Sequence, residues 1–208
     1  MTENPVARFQ EWFREAEQAG VEVPEAMALA TADADGAPSA RMVLLKGADE
    51  DGFVFYSGYV SRKAGELEQN PSAALLFYWR PLGKQIRVEG RVERVSEAES
   101  MAYFATRPRG SQLAAWASRQ SRPLSSREEL ETRYVELERE YEGRDVPLPP
   151  HWGGYRLRPE TIEFWEHREN RLHDRICYTR ARELRRSRHW RLGVRQVGDA
   201  GVALREGE

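Results

Sequence analysis

Apolar residues recur at helical spacing at the start of the chain and at strand spacing through much of the rest. Val6, Phe9, Trp12, Phe13 and Ala16 share one face of a 3.6-residue period, opposite Arg8, Glu11, Arg14 and Glu15. Asn4-Pro5 offers an N-cap followed by proline at the first helical position, so a surface helix is predicted to end near Gly20. From Ala26 the pattern shortens to Met27–Thr31, Ala40–Lys46 and Phe53–Ser57, separated by Asp35-Gly36 and Asp49–Gly52, as in an antiparallel meander. Ser61 caps a predicted helix running to Gln69, which Asn70-Pro71 stops. Ala73–Trp79 is a continuous apolar run, as expected of a strand buried on both faces. Lys84–Val95 alternates, with Ile86, Val88 and Val92 on one face, and Gly90 there suggests a bulge or a close backbone approach.

The capping boxes Ser96-x-x-Glu99 and Ser126-x-x-Glu129 open two further helices, the second with a Leu130, Tyr134, Leu137, Tyr141 stripe ended by Pro147, Pro149 and Pro150. Trp152–Leu157, Ile162–His167, Arg175–Thr179 and His189–Val194 read as further strands. No repeat, low-complexity linker or domain boundary interrupts the 208 residues. The expectation is one α+β domain, residues 1–208: an antiparallel barrel or sheet of six or more strands with helices around it, an N-terminal helix in 1–20 and a C-terminal tail from 193 to 208.

Composition narrows the function classes. The 32 basic and 34 acidic residues leave a net charge of −2, which excludes a globally basic nucleic-acid binder. Arg180–Arg191 holds six arginines and one glutamate, but no recognition motif accompanies it, so a solvated hairpin is expected there. The single Cys177 and four scattered histidines give no disulfide and no metal-ligand spacing. No apolar run approaches the ~20 residues of a membrane span, so a cytoplasmic protein without membrane or nucleic-acid partners is expected. Phosphate-loop, dinucleotide-fold, nucleophile-elbow and zincin motifs are absent.

Several polar clusters remain. Ser57-Gly58-Tyr59-Val60-Ser61-Arg62-Lys63 joins a strand to a helix N-terminus and adds two cations to its free N–H groups, a phosphate site in outline. An ordinary capped helix with solvated cations would read the same way. Only three lysines occur in the chain, Lys46, Lys63 and Lys84, and two of them fall in such clusters. Arg41 and Lys46 bracket an apolar strand, and a spacing of five puts them on opposite faces of an ideal one. Tyr103-x-x-x-Arg107-Pro-Arg-Gly-Ser111 spans a helix junction that could bind a small oxyanion or simply cap a helix. In Arg171-Leu172-His173-Asp174-Arg175, strand alternation would gather Arg171, His173 and Arg175 on one face. Such a face repels itself unless an anion or nearby acid answers it.

Taken in order, Arg41–Lys46, Tyr56-Ser57, Ser61-Arg62-Lys63-Ala64, Gln85, Tyr103-x-x-x-Arg107-Pro-Arg-x-Ser111-Gln, Ala115-Trp116, Ser118-x-Gln120-Ser121, Leu148-Pro149, Trp152-Gly-Gly-Tyr155, Ile162-x-Phe164-Trp165 and Arg171-x-His173-Asp-Arg175 resemble the pyridoxamine 5′-phosphate oxidases, from about Phe9 to Leu192. The resemblance implies an FMN-binding split β-barrel that forms a homodimer with FMN at the subunit interface. It implies that Arg41, Lys46, Tyr56, Ser57, Arg62, Lys63 and Gln85 hold FMN from one subunit, that Gln120 and Ser121 reach it from the partner, and that Trp165 and Arg175 complete the site. Lys46, Tyr103, Arg107 and Ser111 would grip the substrate phosphate, and Arg171 and His173 would cover the pyridine ring as the catalytic pair. No metal is implied. The implied reaction oxidises pyridoxamine or pyridoxine 5′-phosphate to pyridoxal 5′-phosphate, with hydride passing to the flavin and O2 reoxidising it to give H2O2. A phenazine-type flavin oxidase or a non-catalytic flavin-binding barrel are the alternatives. Two departures stand out. Many members carry an Arg-rich segment before the first helix, whereas this sequence starts almost at that helix. Their usual Trp then Arg-Leu-x-Pro ending here reads Trp190-Arg191-Leu192-Gly193-Val194.

Overall fold

The computed structural model describes residues 4–118, 120–121, 124–180 and 190–194. Helix α1 (Pro5–Gln18) starts where Asn4 accepts a hydrogen bond from the Val6 N–H, as its proline and N-cap dictate. Strands β1 (Ala26–Ala32), β2 (Pro38–Leu44), β3 (Gly47–Asp49) and β4 (Gly52–Gly58) form the meander, and β3 is a short strand that the sequence pattern left unassigned ahead of the Asp49–Gly52 turn. Ser61 caps α2 (Arg62–Gln69), which leads into β5 (Ser72–Trp79) and β6 (Lys84–Arg94). Three helices follow, α3 (Glu97–Thr106), α4 (Arg109–Ala117) and α5 (Arg127–Glu140), with Ser96 and Ser126 capping the first and third. The chain then returns through β7 (Trp152–Glu166), β8 (Asp174–Arg180) and β9 (Trp190–Val194). The Arg-rich stretch falls mostly in 181–189, outside the described residues, as does most of the tail expected from 193 onward.

All nine strands pair antiparallel in one curled sheet of order β2-β1-β5-β6-β7-β4-β3, with β8 and β9 branching from β7. The two strands expected at Trp152–Leu157 and Ile162–His167 are one 15-residue strand. Between them lies Pro159, which cannot donate to a ladder. It is accommodated at a bulge, where Gly90 faces Pro159, Glu89 faces Thr161 and Glu160 is the extra residue. Gly90 lies so close to β7 that a Cβ would stand 2.0 Å from the Arg158 carbonyl oxygen. β6 runs along one edge of β7, while the other edge takes β4 on residues 152–157 and β8 on residues 161–166.

The inner face of the sheet closes over Phe9 and Trp12 of α1. Phe9 meets Phe53 and Phe77 at ring separations of 4.9 and 5.2 Å, and Trp12 meets Phe164 at 5.1 Å. A second apolar cluster joins α3, α4 and α5 to the start of β7 through Phe104, Leu113, Leu137 and Trp152. The expectation for β5 is corrected: Leu75, Phe77 and Trp79 are buried, but Leu76 and Tyr78 face outward, with Tyr78 58% exposed. Met42 and Leu76 lie on either side of Ala28, so the outward face of β2-β1-β5 carries an uncovered apolar row.

Gly90→Ala forces its methyl group into backbone and should destabilise the fold by about 2 kcal/mol or more, read as a lowered urea midpoint. An unchanged midpoint would contradict the close approach of β6 to β7.

Candidate active site

A cavity of about 730 Å³ opens between β2, the end of β4, the start of α2 and the α3–α4 junction. It is lined by Arg41, Lys46, Arg62, Lys63 and Arg107, and no carboxylate is among its lining residues. Arg41 and Lys46 meet in one cavity, contrary to their expected opposite faces. The reason is local: β2 ends at Leu44, and the Lys46 N–H bonds the Val54 carbonyl of β4, so the alternation of β2 does not reach it.

Lys63 is buried, and its ammonium donates to Ser57 Oγ at 2.9 Å, Gln120 Oε1 at 3.1 Å and Ser61 Oγ at 3.3 Å. All three partners are neutral. Burial, then the Arg41 guanidinium, lowers its pKa to about 8 against a weaker opposing effect of Glu66. Gln120 also accepts from the Ser57 hydroxyl at 2.9 Å and the Gly58 N–H at 3.3 Å. Gln120 and Ser121 therefore line the cavity with Ser57 and Lys63 of their own chain, whereas the resemblance had them reaching across from a partner. The turn after α4, with Ser121 at φ 67°, brings them there.

Glu66, absent from the sequence-based site, is the acid nearest these cations. It is 5% exposed and accepts from Thr31 Oγ1 at 2.5 Å, Ser39 Oγ at 2.7 Å, Arg62 Nε at 2.8 Å and Arg41 Nη2 at 3.1 Å. Burial pushes its pKa up, but hydrogen bonds from Thr31, Ser39, Arg62 and Arg41 outweigh that and hold it at about 2. Its i,i+4 spacing from Arg62 on a predicted helix was the available sequence signal.

The opposite wall is aromatic. Tyr56 stacks on Tyr103 at 3.9 Å and on Trp152 at 5.4 Å, and the Arg107 guanidinium lies 4.6 Å from the Trp152 ring centre. Tyr56 faces Gly154 across the β4–β7 ladder, and a Cβ on Gly154 would sit 2.8 Å from the Tyr56 ring, so only glycine leaves space for the stack. Burial raises the Tyr56 phenol to about 12 and raises that of Tyr103, keeping both neutral donors. Arg107 Nη1 is buried without a hydrogen-bond partner. Trp152 and His151 join this wall without having been singled out as site residues. Ser111, on the first turn of α4, does not line the cavity.

The remaining candidates gather elsewhere. Gln85, Trp165 and Arg175 are consecutive cross-strand neighbours on β6, β7 and β8. The His173 ring packs 4.5 Å from Trp165 and 5.1 Å from His167. Arg171 and His173 do not share a strand face with Arg175, because β8 begins only at Asp174. They sit on a tight turn with Asn170 and Arg171 at φ 55° and 62°. His173 Nδ1 accepts the Arg168 N–H at 3.1 Å, which leaves Nε2 to carry the proton of the neutral ring. Burial, then His167, Arg171 and Arg175, lowers its pKa and favours that neutral form. None of these five residues lines the cavity.

Glu66 yields a pH-dependent stability. With its folded pKa depressed, its contribution is complete above the ordinary carboxylate value near 4.5 and disappears as pH falls toward about 2. The urea midpoint should fall over that interval, and less steeply in Glu66→Gln; identical slopes would contradict the network.

Residues 13–139 match the family described as pyridoxamine 5′-phosphate oxidase, and residues 152–194 match the pyridoxine 5′-phosphate oxidase C-terminal dimerisation region. The chain is 66% identical over 177 residues to a pyridoxine/pyridoxamine 5′-phosphate oxidase of Rubrobacter xylanophilus, covering 85% of this chain and 82% of that protein. It is 57% identical over 177 residues to the Myxococcus xanthus protein of the same name, covering 85% and 86%. Among solved structures it resembles PhzG from Burkholderia lata, in complex with tetrahydrophenazine-1-carboxylic acid, with a TM-score of 0.87, 34% identity and 93% of each chain covered. A pyridoxamine 5′-phosphate oxidase-related, FMN binding protein from Nostoc punctiforme shares the fold with a TM-score of 0.74, at 17% identity over 95% of this chain and 100% of that one. The matched regions cover both the cavity and the β7–β8 cluster, and the chain belongs to the pyridoxamine 5′-phosphate oxidase family.

Proposed function

We propose that the chain is an FMN-dependent oxidase that converts pyridoxine 5′-phosphate, or pyridoxamine 5′-phosphate with water consumed and ammonia released, to pyridoxal 5′-phosphate, with O2 as electron acceptor and H2O2 as product. The observation that carries this reading is a cavity with five cations and no carboxylate in its lining, too much positive charge for one monoanion. Two phosphorylated reactants answer it. The volume lies within the ~300–1,000 Å³ of small-molecule sites.

The residues fit FMN, the cofactor of this family. Lys63, Arg62, Arg41, Ser57 and Gln120 would hold its phosphate, because the buried Lys63 ammonium has only neutral partners and gains most from a dianion. When bound, FMN supplies the two-electron acceptor chemistry that no side chain here provides. At the aromatic wall, Arg107 with its unpartnered Nη1, Lys46 and the neutral phenol of Tyr103 would grip the substrate phosphate. Ser111 belongs to this set only if its helix turn moves toward the cavity. Anchoring each reactant by a phosphate fixes the distance between them and removes the entropy of encounter from the reacting step.

The second cluster would complete the site from a partner subunit. Trp152, in the cavity wall, and Trp165, beside His173, are 13 residues apart on β7, on the order of 40 Å of strand. A homodimer would bring Gln85, Trp165, Arg171, His173 and Arg175 of one subunit over the cavity of the other. The uncovered apolar row on β2-β1-β5 supports such a pairing, which would bury β5 on both faces after all. There Arg171 would orient the substrate, and the neutral His173 ring, with its proton on Nε2, would donate a hydrogen bond to the oxygen or nitrogen at the reacting carbon. The likeness to PhzG favours a second reading, an oxidase acting on a phenazine-type substrate. A substrate without phosphate leaves the buried Arg107 Nη1 unanswered, so this reading ranks second.

Anaerobic addition of pyridoxamine 5′-phosphate to the FMN-loaded protein should bleach the flavin absorbance, and O2 should restore it. Flavin that stays oxidised with this substrate and with pyridoxine 5′-phosphate would overturn the substrate assignment. Arg171→Ala should lower kcat/KM by about 100-fold while leaving FMN loading intact; normal kcat/KM would remove its role. Because the dianion binds the protonated Lys63, FMN affinity should fall as pH rises through about 8, and Lys63→Arg should abolish that dependence.

A further inference from the structure

Glu66 has no place in the reading just given, and a negative charge beside an anion site opposes the ligand. Yet four hydrogen-bond donors converge on this carboxylate from three elements: Thr31 on β1, Ser39 and Arg41 on β2, and Arg62 on α2. The Arg41 guanidinium is fixed further by the Leu29 carbonyl at 3.4 Å and by the Thr31 and Ser39 hydroxyls. The Arg62 side chain is 66% exposed, and its Nε donates to Glu66. A solvated arginine loses rotamer entropy when a ligand fixes it, a cost avoided where the side chain is already held. Three cations on adjoining elements also repel one another, and Glu66 is the carboxylate among them.

We propose that Glu66 is a positioning residue of the flavin-phosphate site: its carboxylate aims the Arg41 and Arg62 guanidiniums at one phosphate position before the ligand arrives and offsets their mutual repulsion. The inference rests on the cavity being the FMN phosphate site. The Coulomb cost of one buried carboxylate is set against an Arg62 guanidinium that would otherwise turn toward water and forfeit a charge-assisted bond to the phosphate, and an Arg41 guanidinium that would lose its charged partner. Glu66 also acts on Lys63, whose protonation it favours while Arg41 opposes it. The groups facing Lys63 are Ser57 on β4, Ser61 at the cap of α2, Arg62 and Glu66 on α2, Arg41 on β2 and Gln120 after α4, with Lys46, Tyr56, Tyr103, Arg107 and His151 around the same cavity. Glu66 is the acid in that set.

The test compares FMN with riboflavin, which lacks the phosphate, by fluorescence titration of the full chain across pH. In Glu66→Gln, FMN should bind about 10- to 100-fold more weakly, the range seen when a residue orienting a ligand-holding side chain is removed from metal sites, while riboflavin binding stays unchanged. The alkaline midpoint of FMN affinity should also move below the wild-type midpoint. Glu66→Asp keeps the charge but shortens its reach, so it should lose FMN affinity and keep the wild-type midpoint. Should Glu66→Gln not fold, Ser39→Ala removes a donor to Glu66 without changing any charge, and it should weaken FMN binding and spare riboflavin. Equal loss of FMN and riboflavin would reduce Glu66 to a fold-stabilising residue, and unchanged FMN affinity and midpoint would remove it from the site. Wild-type protein that binds FMN no tighter than riboflavin would overturn the phosphate-site reading itself and this inference with it.

Discussion

The pairing of β7 is the constraint on which the other parts depend. One strand of 15 residues keeps β6 along one edge and divides its other edge between β4 and β8. The division carries the end of β4 and the Ser57–Lys63 segment to one end of β7, and Trp165 with the His173 turn to the other. The strand can be this long because Gly90 and Pro159 meet at a bulge, where the missing proline donor falls on the irregular position and the absent glycine side chain lets the backbones close. A side chain at position 90 would push the two strands apart and with them both clusters of site residues.

Charge and aromatic stacking divide the labour within the cavity. The cationic side is built from elements that are short and well capped: the end of β2 and the first turn of α2, where Ser61 accepts the Ala64 N–H at 3.4 Å. Lys63 is held by neutral acceptors and Arg41 and Arg62 by one buried acid, so the cations stay oriented without being neutralised in full. The aromatic side is held by the second apolar cluster, in which Phe104 packs edge-on against Trp152 at 5.3 Å. Arg107 lies against the face of that indole, so its attraction to the ring compensates part of its lost hydration while leaving Nη1 unpartnered.

Much of this was legible in the sequence, for physical reasons that also explain the failures. Caps and prolines report on local backbone geometry, and the starts of α1, α2, α3 and α5 fall where Asn4, Ser61, Ser96 and Ser126 put them. Gly90 marked the close approach of two strands. Alternation failed where the strand it assumed was absent: Lys46 lies beyond the end of β2, and Arg171 and His173 precede β8. The strands read at Trp152–Leu157 and Ile162–His167 are one, joined through a bulge, and a bulge is a property of two strands in register that one strand's sequence does not carry. Glu66 was legible only as an i,i+4 partner of Arg62; its bonds to Thr31, Ser39 and Arg41, like the stack of Trp152 on Tyr56, depend on side chains brought from other elements. The family resemblance named residues that fall in both clusters, but which of them lie together within the chain emerged only from the packing, which joins Gln120 to Lys63 and Gln85 to Trp165.

The central claim is that each reaction site combines the cavity of one chain with the β7–β8 cluster of another. It is tested most directly by pairing two inactive variants, Arg107→Ala in the cavity and His173→Ala in the cluster, on differently tagged chains purified as the mixed dimer. In a two-fold dimer with shared sites, one site receives both substitutions and the other neither, so the mixed dimer should regain about half of the wild-type activity. A mixed dimer as inactive as its parents would mean that cavity and cluster serve one site within a single chain, and the account would fail.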